Sequence, residues 1–145
     1  MKLIKDIYAL LLMINSLKIF NPNKDFKNKS IAIIGAADSA FAEKNGALID
    51  SYDIVIRINK AAHSWDKDKT EYLGSKFTYL FHSFYENDFS GGGPIDWPYF
   101  DKLGIEKVIN PNCTKKGLNT HLNYYKRHLK FRKTYMLSKE NYRIL

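Results

Sequence analysis

The chain has 145 residues, 45% of them hydrophobic and 14% aromatic, enough sequence for one domain with a real core and too apolar for intrinsic disorder. A formal net charge of +8 favours anionic partners: phosphate, nucleic acid, a carboxylated sugar or an acidic membrane surface. Cys113 is the only cysteine, which excludes an intramolecular disulfide and a cysteine-built structural metal site and fits a reducing compartment.

The first predicted element is a helix over residues 3–20. Ile7 to Ile14 is an unbroken apolar run, too short to span a bilayer, which takes about 20 residues. Lys2 and Lys5 precede it as in a signal peptide, but no small-residue cleavage site follows. This helix either packs on the domain or lies on a membrane surface. Asn21-Pro22-Asn23 ends it, because proline cannot continue a helix. Residues 1–22 are therefore set apart as an N-terminal helix, and residues 30–145 as a nucleotide-binding α/β domain.

The pattern then changes. Ser30-Ile31-Ala32-Ile33-Ile34-Gly35 reads as a strand buried on both faces, as in a parallel sheet. A turn over residues 36–39 precedes a predicted helix over 40–48, interrupted or ended early by Asn45-Gly46. Further strands are expected over 53–59, 77–81, 107–109 and 134–137. A helix over 119–131 has Leu118, Leu122, Tyr125 and Leu129 three or four residues apart. Ser138 caps a last helix with Glu140 in its first turn. The glycine-rich loop at 90–94 joins two aromatic segments. Strands alternating with helices or long connections give an α/β fold with a mostly parallel sheet.

In open α/β sheets ligands bind beyond the carboxyl ends of the strands. The first such end carries Gly35, Ala36, Ala37, Asp38 and Ser39. Gly35 permits a tight turn, the alanines permit close approach of a ligand, and backbone N–H groups at the following helix start can hold an anion. The second end carries Arg57 and Asn59. A buried strand arginine needs a partner: either a carboxylate, Asp50 or Asp53, or a ligand phosphate suited to its planar fork. Asn59 offers a donor and an acceptor for a ribose or a pyrimidine edge. A dinucleotide dehydrogenase is disfavoured, since no G-x-G-x-x-G follows the first strand and no acidic residue ends the second.

The strand ending at Gly35, followed by Ile49-Asp50-Ser51-Tyr52-Asp53-Ile54-Val55-Ile56-Arg57-Ile58-Asn59, resembles the large sialyl motif of glycosyltransferase family 29, the sialyltransferases. Tyr72-Leu73-Gly74-Ser75-Lys76 and the strand after it resemble the family's next segment. The matching region covers about residues 30–83. The resemblance implies a Rossmann-like domain that binds CMP-sialic acid, with no cofactor and no metal. It implies a sugar transferred with inversion to a glycan or lipooligosaccharide acceptor hydroxyl. The family's motif asparagine falls on Asn59 and its turn glycine on Gly35. Where the family has a further asparagine this chain has Ala36, and Ser39 is the better of the two nearby substitutes. The nucleotide-binding set is thus Gly35, Ala36, Ser39, Arg57 and Asn59. The family's small motif and late catalytic histidine lie beyond this chain's end, so the domain is expected to be incomplete and its catalytic residue is unknown. His63, His82, His121 and His128 are expected to be ordinary surface or packing residues.

The expected location is the cytoplasm, at the inner face of the membrane with peripheral contact to it. Two rival readings stand beside this one. A non-catalytic nucleotide-binding module predicts the same site. A nucleic-acid binder is raised by the mixed basic and aromatic residues of 124–133, but on a helix Tyr125 and Leu129 face inward and the charges form a solvated face, so no nucleic acid is expected. Asp66-Lys67-Asp68 has the spacing of a metal-binding pair but reads as a solvated loop.

Overall fold

The computed structural model describes residues 2–35, 37–87, 89 and 91–142. In chain order, α1 (Lys2–Ser16) runs directly into β1 (Leu17–Phe20), followed by the single turn α2 (Pro22–Asp25) and β2 (Ile31–Ile34). A 3-10 turn at Asp38–Phe41 precedes α3 (Gly46–Ser51) and β3 (Ile54–Ile58). Then come α4 (Ala61–Ser64), a 3-10 turn at Lys67–Lys69, α5 (Thr70–Leu73) and β4 (Tyr79–Phe81). The chain finishes with α6 (Trp97–Lys102), β5 (Lys107–Asn110), α7 (Lys115–His128), β6 (Thr134–Leu137) and α8 (Lys139–Tyr142). All six strands are parallel in one sheet, ordered β1-β6-β5-β4-β3-β2. This is an α/β, Rossmann-like architecture with a parallel sheet and flanking helices.

Strand register assigns the side chains to two faces. Ala32, Val55, Leu80 and Val108 point to one of them, where α1, α3, α4, α6 and α7 pack. Its main core joins Ala9, Ala62, Leu80, Phe84, Phe100, Tyr124 and Tyr125. Phe20, Ile54, Ile56, Tyr79, Ile109 and Leu137 form the core of the opposite face. The β1–β2 connection crosses it, since those strands lie at opposite edges of the sheet. Phe26 packs on Phe20 and Tyr79 at ring separations of 5.3 and 6.3 Å, and Asp25 forms an ion pair with Lys107.

Three sequence expectations change here. The helix expected over 3–20 stops at Ser16, and residues 17–20 form an edge strand against β6. The apolar run hid this boundary, because Leu17, Ile19 and Phe20 continue the composition of α1 while serving a strand. β2 is not buried on both faces: it is the other edge strand, and Ile33 is 61% exposed. No helix spans 40–48, and Asn45-Gly46 opens α3 instead of closing a helix. Gly46 is required there because α3 packs closely on α5. A Cβ would lie 2.7 Å from the Glu71 carbonyl oxygen and nearer still to that of Thr70. Helix α6 had no apolar period to announce it, and is started by Asp96, whose side chain accepts the Tyr99 N–H, with Pro98 in the first turn. Among the described residues no helix is long and apolar enough to cross a membrane.

Two glycine substitutions separate packing from open space. Gly46→Ala lowers stability by about 1–3 kcal/mol through overpacking. Gly35→Ala stays within about 0.5 kcal/mol of the parent, because a Cβ there meets no atom within 4 Å. Urea denaturation of both variants measures the difference.

Candidate functional site

The carboxyl ends of β2, β3, β4 and β5 present Gly35, Asn59, the His82-Ser83-Phe84 segment and Asn110 along one edge of the sheet. Gly35 is exposed and does not have a left-handed φ, so the backbone does not demand glycine there. It borders an open groove of about 500 Å³ between β2 and α3, lined also by Ile34, Ala42, Asn45, Leu48 and Tyr52. On its other side is a cavity of about 40 Å³ shared with Phe41, Arg57, Ser64, Trp65 and Leu73. That smaller space has room for about one water. The helix start expected to hold an anion after β2 is a 3-10 turn of four residues. Ala36 lies outside the described residues, and so does the side chain of Ser39.

Arg57 is 1% exposed. Neither carboxylate expected from the sequence, Asp50 or Asp53, accepts its hydrogen bonds. Its Nη2 donates to the carbonyl oxygens of Leu73 at 2.7 Å and Lys76 at 3.0 Å, and its Nε to Lys76 at 3.2 Å. The guanidinium also sits 4.7 Å from the Phe77 ring centroid. Burial lowers its pKa to about 10, opposed by the charge of Asp50, and it stays a cation at neutral pH. Asp50 accepts the backbone N–H groups of Ser75 and Lys76, each at 2.9 Å. Burial raises the Asp50 carboxyl, but these hydrogen bonds and the nearby Arg57 outweigh it and hold the pKa below the ordinary value. Asp53 accepts from both the N–H and the hydroxyl of Ser30 at 2.8 Å, which fastens the start of β2 to that of β3. Asp50, Asp53 and Arg57 thus shape the scaffold under the site.

Asn59 ends β3 in the left-handed region, with φ 51°. Its N–H donates to the Phe81 carbonyl at 2.7 Å, and its Oδ1 accepts the Ser83 N–H at 3.2 Å. Gly35 and Asn59 therefore lie on neighbouring strand ends, Arg57 lies beneath them, and the guanidinium faces protein carbonyls.

Next to Asn59 lies a buried polar cluster whose members are far apart in sequence. Asn110 Nδ2 donates to His121 Nδ1 at 3.2 Å and to the Gly117 carbonyl and Thr120 Oγ1, both at 3.3 Å. His82 Nδ1 accepts the Phe84 N–H at 2.9 Å. Phe84, with φ 58°, stacks on His121 at 3.9 Å and meets His82 edge-on. These partners assign each ring proton to Nε2, where neither His82 nor His121 finds a hydrogen-bond partner. Burial pushes the His82 pKa down to about 4 and that of His121 to about 3, so both are neutral at pH 7. With Nδ1 already an acceptor, neither ring offers a free basic nitrogen. Gly92 covers His82 so closely that a Cβ would collide with the ring. His63 Nε2 contacts the Pro94 carbonyl at 2.7 Å, and His128 Nε2 contacts Glu86.

Of the three aromatic residues in the basic stretch at 124–133, only Phe131 is exposed. Tyr124 and Tyr125 are fully buried, Arg127 pairs with Glu86, and Arg132 pairs with Asp101 beside Trp97. Asp66 caps the 3-10 turn at Lys67–Lys69 and pairs with Lys69. Among the described residues no three His, Cys, Asp or Glu side chains gather as a metal site. Family models, curated proteins and solved structures yield no match to this chain.

The neutral histidines make stability depend on pH with a definite sign. The unfolded chain protonates them near pH 6.5, while the folded chain resists until about pH 4 and 3. Between these limits the unfolded state binds more protons, so stability falls on acidification, by up to about 1.4 kcal/mol per pH unit for each ring. Urea titrations between pH 6.5 and 5 are expected to show this slope, and His121→Phe to halve it.

Proposed function

We propose that this chain is a sialyltransferase-like glycosyltransferase that holds CMP-sialic acid over the carboxyl ends of β2 and β3. The observation that carries the reading is the free space over Gly35. Glycine there answers neither a backbone requirement nor a packing one, and a side chain would fill space beside a groove. A ligand lying close to the backbone is a physical reason for glycine at such a place. On the adjacent strand end, Asn59 uses Oδ1 within the protein, and its Nδ2 has no hydrogen-bond partner among the described residues. An amide donor suits the acceptor atoms of a pyrimidine edge or a ribose. The segment from Ile49 to Asn59, with its sialyl-motif resemblance, supplies the identity of the base and sugar.

In this reading the acceptor hydroxyl of a glycan or lipooligosaccharide attacks the anomeric carbon of the sialyl group. The bond to CMP breaks, CMP leaves with the bonding electrons, and the proton of the attacking hydroxyl passes to solvent or to the departing phosphate. Gly35 admits the nucleotide and Asn59 orients it, while Arg57 positions the strand end that carries Asn59. A cytoplasmic nucleotide-sugar donor puts the work in the cytoplasm, at the inner face of the membrane. A second reading, a nucleotide-binding module without catalysis, is favoured by one observation: all four histidines are engaged in packing or hydrogen bonds, which leaves none as an open general base.

Calorimetric titration with CMP tests the site, with GMP as competitor. CMP is expected to bind and GMP to compete poorly. Asn59→Asp keeps the Ser83 hydrogen bond but loses the amide donor, and weakens binding about tenfold or more. Gly35→Ala weakens binding similarly while leaving stability unchanged. Absence of CMP binding at millimolar ligand sinks the proposal. Binding without CMP release from CMP-sialic acid in the presence of a lipooligosaccharide acceptor selects the non-catalytic module.

A further inference from the structure

Helix α1 is amphipathic in an inverted sense. Ala9 and Ser16 are fully buried, Leu12 and Met13 pack against the main core, and Asp6 pairs with Lys126 of α7 at 3.1 Å. These residues anchor one side of the helix to the protein. The other side is apolar as well. Leu3, Ile7, Leu10, Leu11 and Ile14 recur at helical spacing, and with Ile4 and Tyr8 they are 42–72% exposed. A folded protein rarely leaves so continuous an apolar stripe without a partner. At 15 residues the helix is about 22 Å long, and it lies flat on α7.

Charge selects the partner. The exposed charged residues bordering the stripe at the start of α1, Lys2 and Lys5, are both positive, and Lys130 and Lys133 follow α7 with exposed Phe131 between them. Asp6, the only acidic residue of α1, is taken by Lys126. Lys2, Lys5, Ile4, Tyr8 and Leu129 line one open groove of about 660 Å³, so cationic heads and an apolar floor occur together. A second copy of α1 would bring no acidic side chain to these lysines, since Asp6 is already paired. An anionic lipid surface would take the stripe into its acyl boundary and the ammonium groups among its phosphates.

We propose that α1 is a membrane-docking helix whose outward face inserts into the interfacial layer of a bilayer containing anionic phospholipid. It seats the protein at the edge of the sheet opposite the Gly35–Asn59 end. The inference stands on α1 alone and does not depend on the nucleotide reading.

The test is flotation of the full chain with two vesicle types: phosphatidylcholine alone, and phosphatidylcholine mixed with phosphatidylglycerol. The chain is expected to float with the mixed vesicles at low salt and much less with the neutral ones. Ile7→Ser with Leu11→Ser removes two outward side chains and cuts binding at least about tenfold. Lys2→Gln with Lys5→Gln cuts it about fivefold per lysine. The helical circular dichroism and the CMP affinity of both double variants should match the parent, so this proposal and the nucleotide site fail separately. Three results overturn the proposal: no flotation with mixed vesicles, equal flotation with both types, or flotation unchanged in both variants. A concentration-dependent dimer in light scattering, dissolved by the serine variant in a chain that ignores vesicles, assigns the stripe to a second copy and also overturns it.

Discussion

The buried guanidinium of Arg57 is the constraint around which the carboxyl end of the sheet is organised. A cation in a strand interior is costly unless hydrogen-bonded, and here the carbonyls of Leu73, Gly74 and Lys76 accept from its Nε and Nη2. Those carbonyls converge only if the turn after α5 is held in place. Asp50 holds it from the opposite side through the N–H groups of Ser75 and Lys76. Gly74, at φ 69°, leaves room that a Cβ would take from the Asp50 carboxylate. Cation, turn and carboxylate form one unit tying α3, β3 and α5 together. Its geometry fixes the height at which β3 ends, and therefore where Asn59 stands.

This gives physical content to the sequence pattern from Ile49 to Asn59. Its two aspartates and its arginine fasten strands and turns, and its isoleucines and valine fill the core. Asn59, at the strand end, has capacity left over. Of its polar side chains only Arg57 is fully buried, while Asp50 is partly buried and Asp53 exposed, yet all three bind within the protein. Such contacts report the scaffold more directly than they report the ligand.

The strands were legible where short β-branched runs stood between turn residues, as for β3, β5 and β6. The N-terminal boundary was not, because one apolar run serves a helix and then a strand, and only pairing with β6 separates them. Edge position was equally hidden: nothing in Ile31-Ala32-Ile33-Ile34 says that one neighbour is missing. The placing of Gly35 and Asn59 at neighbouring strand ends was legible because both follow recognisable strands. The cluster of Ser83, Asn110, Thr120 and His121 was not, since its members come from three segments and carry no shared spacing. The buried Arg57 signals a need for a partner, but backbone carbonyls leave no sequence signal, so the pattern points to a carboxylate or a ligand phosphate instead.

The pairing of β1 with β6 brings Leu17 beside Thr134, a separation of 117 residues, 134 minus 17. During synthesis at 5–20 residues per second, the first strand therefore waits about 6 to 23 s for its neighbour to be made. Throughout that interval the β1 edge has no strand to pair with, and α1 waits nearly as long for α7, which ends at His128. Long-range parallel pairing is also the slow class of folding event. The nascent chain thus completes α1 and β1 long before the α7 and β6 that pack on them, which makes early engagement by a chaperone or a lipid surface a kinetic advantage.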